Sequence, residues 1–266
     1  MEQVEEQSEN VLPETLRLNR FLAMVGVASR RAAEEMIANG EVELNGKIVT
    51  ELGTKVNPQQ DVVKVNGQTY SLAQKLVYIL LNKPKDLITT ASDEKGRRTV
   101  LDIINIRERV YPVGRLDRQT TGVLLLTNDG MLANKLMHPS SEVVKSYHVS
   151  IDKGLDQVHA EKLARGVFLE DGKTAPAELE IIPGTKNREI VMHIHEGKNR
   201  QIRRMFESFG YEVERLHRVE YAGLNVHGLQ RGMWRTLTEK EIKNLKALVS
   251  GEQKRELTRD DKKNEK

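Results

Sequence analysis

The 266-residue chain has no cysteine, which excludes disulfide bonds and thiolate metal sites and fits a reducing compartment. No window approaches the roughly 18 consecutive apolar residues that a membrane helix needs. The amino-terminal stretch Met1-Glu2-Gln3-Val4-Glu5-Glu6 lacks the basic-then-apolar order of a secretory signal, so a cytoplasmic protein without membrane association is expected. The chain also lacks a glycine-rich phosphate loop, a solenoid repeat and a cluster spaced for metal ligation. His193 and His195 share one strand face but have no evident third ligand. Net charge is small, +3, and by itself excludes little.

What is present is length for a small domain plus a larger one. Hydrophobic residues make up 38% of the chain, enough for packed cores, and charged residues 30%. The charge is unevenly placed. Glu2, Glu5, Glu6, Glu9 and Glu14 precede the first basic residue, Arg17, after which basic residues gather at Arg30-Arg31, at Arg97-Arg98 and at Lys198, Arg200, Arg203 and Arg204. Basic patches on a near-neutral chain suit a polyanion read on one face.

In order, residues 1–15 are acidic and expected to be disordered. From Leu16, the spacing of Leu18, Phe21, Leu22 and Val25 predicts a helix ended at Gly26. Ser29 is placed to cap a second helix with Ala32, Ala33, Met36 and Ile37 on its apolar face, ended by Gly40. Asn45-Gly46 and Asn66-Gly67, each after a short valine-bearing strand, are hairpin signals. Together they predict a compact module over 16–70, followed by a linker at 71–75.

A larger unit is expected over 76–249. The apolar run Leu76–Leu81 reads as a buried opening strand, Val100–Ile104 as a short helix, and Leu132, Ala133, Leu136 and Met137 as a helix stopped at His138-Pro139. Val143–Ile151 alternates as a strand with Lys145, Tyr147 and Val149 on one face. Leu155–Arg165 is a helix, and Val167–Ile181 a hairpin with Gly172 at its turn. Glu189–His195 is a strand, Gln201–Phe209 a helix, and Val213–Leu216, Leu224 and Trp234 belong to closing strands. Thr238 caps a last helix, and 250–266 form a charged disordered tail. Short connections between strands argue an α+β fold with a mostly antiparallel mixed sheet.

Chemistry centres on Val113-Gly114-Arg115-Leu116-Asp117-Arg118-Gln119-Thr120-Thr121-Gly122, a tight loop between two hydrophobic segments. Catalytic groups often sit on such loops, yet Asp117 taken alone reads as a turn residue bonded to its own backbone. Tyr147 alone reads as cross-strand packing.

The whole set changes both readings. Ala28-Ser29-Arg30-Arg31 with Gly40-Glu41-Val42-Glu43-Leu44-Asn45-Gly46 resembles the alpha-L RNA-binding motif, with Arg30 and Arg31 at a helix start where phosphates can be met. Gly114-Arg115-Leu116-Asp117, Thr121-Gly122 and Leu124-Leu125, then Lys145-Ser146-Tyr147, then Glu196-Gly197-Lys198-Asn199-Arg200-Gln201-Ile202-Arg203-Arg204-Met205 resemble the ribosomal RNA pseudouridine synthases of the RsuA/RluB/RluE/RluF group. The likeness runs from about Leu16 to about Leu248. Leu136–Ser140, Gly166–Gly172 and Arg231–Trp234 are similar to the large-subunit RluB type.

The resemblance implies an isomerase that needs no cofactor or metal. It cleaves the N-glycosidic bond of a uridine in ribosomal RNA, 23S in preference to 16S, or in an assembly intermediate, then rotates the base and rejoins it through C5. Asp117 would be the catalytic carboxylate, Tyr147 the stacking platform that also takes part in proton removal, and Arg203 the partner of Asp117. Ile202 would wall the uracil pocket and Arg115 help displace the target nucleotide. Lys83, Lys198, Arg200 and Arg204, with Arg30 and Arg31, are expected to contact RNA, and a monomer is expected. Elementary chemistry agrees: cleavage of the bond builds positive charge on ribose, which a carboxylate offsets, and an aromatic offsets part of the unstacking of a flipped base. After Lys83-Pro84-Lys85 the family usually has glycine where this chain has Asp86, a residue that tolerates left-handed backbone. The alternatives are a non-catalytic RNA-binding or ribosome-assembly protein and a hydrolase that releases uracil.

Overall fold

The computed structural model describes residues 15–71, 75–91 and 93–250. Apart from Thr15 and Ser250, the two expected disordered ends lie outside the described residues, as do 72–74 of the expected linker. The chain separates into two compact units between Leu76 and Val77.

In the first unit, β1 (Leu16–Arg17) pairs antiparallel with β4 (Lys55–Val56) and runs directly into α1 (Leu18–Met24). Leu18, Phe21 and Leu22 form the buried face of α1. Gly26 follows at φ 83°, the left-handed step that ends a helix cheaply only without a Cβ. The side chain of Ser29 accepts from the Ala32 N–H at 3.2 Å and starts α2 (Arg30–Ala38). Strands β2 (Val42–Leu44), β3 (Lys47–Ile48), β5 (Val63–Val65) and β6 (Gln68–Tyr70) form a sheet in the order β3-β2-β5-β6. Both hairpins turn on Asn-Gly with positive φ at each residue, 52° and 77° for Asn45-Gly46 and 49° and 79° for Asn66-Gly67, the turn whose twist matches paired strands. Val42, Val56, Val63 and Val65 meet Phe21, Leu22, Ala33 and Ile37 in one core.

The second unit is built on nine strands. They are β7 (Tyr78–Lys83), β8 (Tyr111–Pro112), β9 (Thr121–Thr127), β10 (Lys145–Ile151), β13 (Glu178–Ile181), β14 (Glu189–Ile194), β15 (Val213–Tyr221), β16 (Leu224–Asn225) and β17 (Trp234–Thr236). The main path is β13-β14-β10-β15-β9-β7-β17, with β8 on β9 and β16 on β15. Every pairing is antiparallel except β9 with β15. A separate hairpin joins β11 (Phe168–Leu169) to β12 (Gly172–Lys173).

The central strands β7 and β9 are buried on both faces, which explains their unbroken apolar runs. Their alternate residues feed two cores. Ile79, Leu81, Leu124 and Leu126 join Tyr147, Val149 and Met192, under Leu163 of α4 (Gln157–Arg165) and Ile202, Met205 and Phe206 of α5 (Gln201–Glu207). Tyr78, Leu80, Val123 and Leu125 meet Leu132 and Leu136 of α3 (Gly130–Met137) and Leu245 of α6 (Glu239–Ser250). Asp129 caps α3 by accepting from the N–H groups of Met131 and Leu132. Thr238 and Glu241 exchange bonds at the start of α6, a capping box.

Two expectations are corrected. The Val100–Ile104 helix is a single 3₁₀ turn, Val100–Ile103, closed by reciprocal bonds between Thr99 and Asp102. The predicted Val167–Ile181 hairpin divides in two. Thr174 closes the short hairpin by bonding Val167 with both its N–H and its hydroxyl, and Pro176, which has no N–H for a ladder, separates it from β13 on the sheet edge.

The parallel crossing of β9 and β15 requires Gly122. Its φ is 107°, and a Cβ there would lie 2.1 Å from the Arg218 carbonyl oxygen. Gly122→Ala combines a forbidden backbone with a backbone clash, so a loss of at least about 3–4 kcal/mol is expected. Thermal unfolding of the purified chain checks this; an unchanged melting temperature refutes the requirement.

Candidate active site

The loop from Gly114 to Thr120 is gripped by the segment that leaves β7. The Lys83 amine, with no solvent exposure, lies 3.0–3.3 Å from the carbonyl oxygens of Pro84, Asp117, Arg118 and Thr120. Three N–H donors are thus shared among four acceptors. The buried Thr89 hydroxyl donates to the Leu116 carbonyl at 2.8 Å and accepts from the Leu116 N–H. Asp86 adopts φ 66°. Its N–H donates to the Arg118 carbonyl, and its carboxylate accepts from Arg118 Nε at 3.1 Å and Gln119 Nε2 at 3.0 Å. The left-handed turn therefore persists with aspartate, which gains two contacts that glycine cannot make.

Burial pulls the Lys83 pKa down to about 8, opposed by Asp117 and Asp86 and reinforced by Arg218. Lys83 is thus not an RNA contact, contrary to the expectation from sequence. It is an internal clamp, because its donors are consumed by the loop it holds.

Asp117, so held, lines a pocket of about 390 Å³, within the size range of small-ligand sites. Among the described residues no hydrogen bond or ion pair within 4 Å engages its carboxylate. Arg115, Tyr147, Lys145, Lys198, Arg200, Ile202, Leu216 and Arg218 line the same pocket, with Met137, His138 and Pro139 on another wall. Tyr147 and Ile202 are buried, and Arg115 and Arg200 are exposed. The Lys145 amine bonds the carbonyls of Val143 and His195. Burial and the neighbouring Arg218 hold its pKa at about 8, against the pull of Glu196.

Three further expectations change. Arg203 is buried and its Nη1 donates to the Val213 carbonyl, so the expected ion pair with Asp117 is not closed within 4 Å. Burial, with Arg200, depresses its pKa, and Asp117 counteracts this through space. Arg204 makes a bidentate pair with Asp171, both bonds 2.9 Å. Lys198 Nζ bonds the carbonyls of Asp171, Gly172 and Lys173. Both therefore brace the β11–β12 hairpin against α5 rather than standing free for RNA. Arg30 and Arg31 are exposed on the first turn of α2 in the first unit.

Two contributors were not singled out from sequence. Thr89 carries no signal beyond a polar loop. Arg218 does: it is a charge placed on the inward face of β15, beside Leu216, and in register with Tyr147. His193 and His195 bond Ser146 and the Glu142 carbonyl, and among the described residues no group of three candidate metal ligands occurs. No helix of the described residues is long and apolar enough to cross a membrane.

Asp117 on a fixed loop, the Tyr147 ring and several cations thus share one pocket, with Glu196 as a second carboxylate in its lining. Residues 77–208 match the family model for RNA pseudouridylate synthase, and residues 16–63 match the S4 domain. The chain is 51% identical over 238 residues to ribosomal large subunit pseudouridine synthase B of Bacillus subtilis (strain 168), covering 88% of this chain and 96% of that one. It is 38% identical to the dual-specificity RNA pseudouridine synthase RluF of Escherichia coli (strain K12), covering 90% and 81%. A solved structure of a pseudouridylate synthase superposes with a TM-score of 0.64 at 28% identity, covering 86% of this chain and 99% of that one. The chain belongs to the RNA pseudouridylate synthase family and is an RNA pseudouridine synthase with an N-terminal S4 domain.

Lys83→Met would remove a donor from four carbonyls, of which those of Asp117 and Arg118 keep the N–H groups of Thr120 and Asp86, at a cost of about 1–3 kcal/mol. It should also lower kcat more than it raises KM. Between pH 8 and 10.5 the unfolded chain holds a proton that the folded Lys83 has released, so the lysine's contribution to stability rises with pH across that window. The stability gap between wild type and Lys83→Met should therefore widen from pH 8 to 10.5; a constant gap in denaturant titrations refutes the clamp's titration.

Proposed function

We propose that this enzyme converts a uridine of large-subunit ribosomal RNA to pseudouridine in the cytoplasm, acting as a monomer through Asp117. The observation that carries the site assignment is the Asp117 carboxylate, without a hydrogen-bond or ion-pair partner among the described residues, in a pocket lined by Arg115, Lys145, Lys198, Arg200 and Arg218. The large-subunit target rests on the 51% identity to the Bacillus subtilis enzyme of that name over nearly its whole length.

The target uridine is extruded from its stack, with Arg115 at the pocket rim helping to displace it and the Tyr147 ring offsetting part of the unstacking. The C1′–N1 bond breaks with its electron pair leaving on uracil. Asp117 meets the positive charge at C1′ as nucleophile or as electrostatic partner. The base turns against Tyr147 and Ile202, C5 bonds to C1′, and the C5 proton is removed with help from Tyr147 while N1 regains one. Atoms balance without a redox step or group donor. Arg203 supports Asp117 through space, and Arg200 serves the RNA backbone at the rim.

Mapping pseudouridines in ribosomal RNA from cells whose only copy is Asp117→Asn should show one site missing from the large-subunit RNA. An unchanged map refutes the assignment of Asp117, and a loss confined to small-subunit RNA refutes the target.

The S4 unit is expected to add sequence-independent affinity through Arg30 and Arg31. Each alanine substitution there should reduce the slope of log K against log salt by about 1 without changing which uridine is modified. Equilibrium binding at several salt concentrations checks this, and unaltered slopes remove these arginines from the interface.

A further inference from the structure

Arg218 has a fully buried side chain but no carboxylate partner. Its residue exposure is 2%, yet it lines the same pocket as Asp117 and Tyr147. Nε donates to the Val123 carbonyl at 2.7 Å, and the guanidinium lies 4.8 Å from the centroid of the Tyr221 ring. These contacts hold the group in place from two sides. Nη2, however, is buried without a hydrogen-bond partner, and among the described residues no ion pair within 4 Å includes Arg218.

A buried guanidinium without a counter-charge is costly. The cost is raised further by its neighbours, because Arg218 disfavours the charged forms of both Lys83 and Lys145. An anion arriving with substrate would relieve all three.

We propose that the guanidinium of Arg218, held in the pocket lining without a counter-charge, binds the oxyanion that develops on uracil when the glycosidic bond breaks. This rests on the reading of the pocket as a uridine site. Arg218 is the cross-strand partner of Tyr147 in the β10–β15 ladder, so the two residues occupy neighbouring positions on one face of the sheet. A base stacked on Tyr147 therefore lies over the same face of the sheet as Arg218, in the pocket both residues line. When C1′–N1 breaks, the electron pair leaves with the base and is shared among N1 and the carbonyl oxygens. A fixed, desolvated cation beside such an oxygen stabilises the separated charge more than the neutral base, which is the condition for acceleration. Asp117 answers the opposite charge at C1′. The two residues thus divide one heterolysis between them, and Arg218 releases the anion when C5 bonds to C1′ and N1 is protonated.

A phosphate of the flipped nucleotide is the competing partner, and the test separates the two. Single-turnover conversion is measured with the full chain, Arg218→Met and Arg218→Lys, on a large-subunit RNA fragment that the wild type modifies. Arg218→Met should slow conversion by about 10²–10³-fold, with RNA affinity changed less than threefold and Arg218→Lys intermediate. With 5-fluorouridine at the target, whose base carries negative charge more readily, the defect measured as consumption of that nucleoside should shrink at least tenfold. An equal defect on both nucleosides overturns the assignment, because a structural role does not depend on the leaving group. A methylphosphonate 5′ of the target that slows wild type as much as Arg218→Met, and slows the variant no further, assigns the partner as phosphate and also overturns it. If wild type itself forms no pseudouridine in any ribosomal RNA, the proposed function fails; if wild type is active and Arg218→Met matches it, only this inference fails.

Discussion

A buried lysine amine surrounded by carbonyl oxygens is the contact on which the site depends. Lys83 is the last residue of β7 and pairs across the sheet with Gly122, so the strand ladder itself delivers the amine to the base of the Asp117 loop. Desolvating an ammonium is expensive, and the bonds to the carbonyls of Pro84, Asp117, Arg118 and Thr120 offset that cost only if the loop is already in its bound shape. The clamp therefore couples loop conformation to the integrity of the central sheet. Thr89 and Asp86 extend the grip along the same loop, so one segment, Lys83 to Thr89, holds the carboxylate from three points. That is how a loop residue gains the positional accuracy of a strand residue.

The second constraint is the parallel contact of β9 and β15 in an otherwise antiparallel sheet. It needs a glycine at 122, because the Arg218 backbone occupies the space of a Cβ. The same contact brings Arg218 beneath the end of the loop, with Lys83 and Lys145 close enough to feel its charge. The interior of the site is thus strongly cationic around one free carboxylate. Such a field favours states in which negative charge moves onto the ligand.

Much of the scaffold was legible locally. Ser29, Asp129 and Thr238 stand where helices begin, both Asn-Gly pairs turn hairpins, and the apolar run through Leu81 is a strand buried on both faces. These signals are written in backbone dihedrals and short-range bonds, which a sequence displays. The destination of a charged side chain is decided by tertiary contact, and there the reading failed in one consistent direction. Lys83, Lys198 and Arg204 looked like RNA contacts but are occupied by carbonyls and by Asp171. Arg203 is turned to the Val213 carbonyl. Arg218 passed unnoticed inside a closing strand, although a charge on the inward phase of an alternating strand is an anomaly that periodicity alone exposes.

The engagement of these cations inside the protein has a physical consequence for how the enzyme meets RNA. A basic run such as Lys198 to Arg204 suggests a phosphate track, yet two of its four cations hold a hairpin in place and a third lies inside the core. Only Arg200 remains exposed, and its distant pair with Glu207, at 3.6 Å and half in water, is worth little. With Arg115 it forms a thin cationic rim around a deep pocket. A thin rim supplies little affinity that is independent of the target base, because that affinity grows with the number of phosphates neutralised. The S4 domain of the first unit carries two exposed arginines, Arg30 and Arg31, at a helix start.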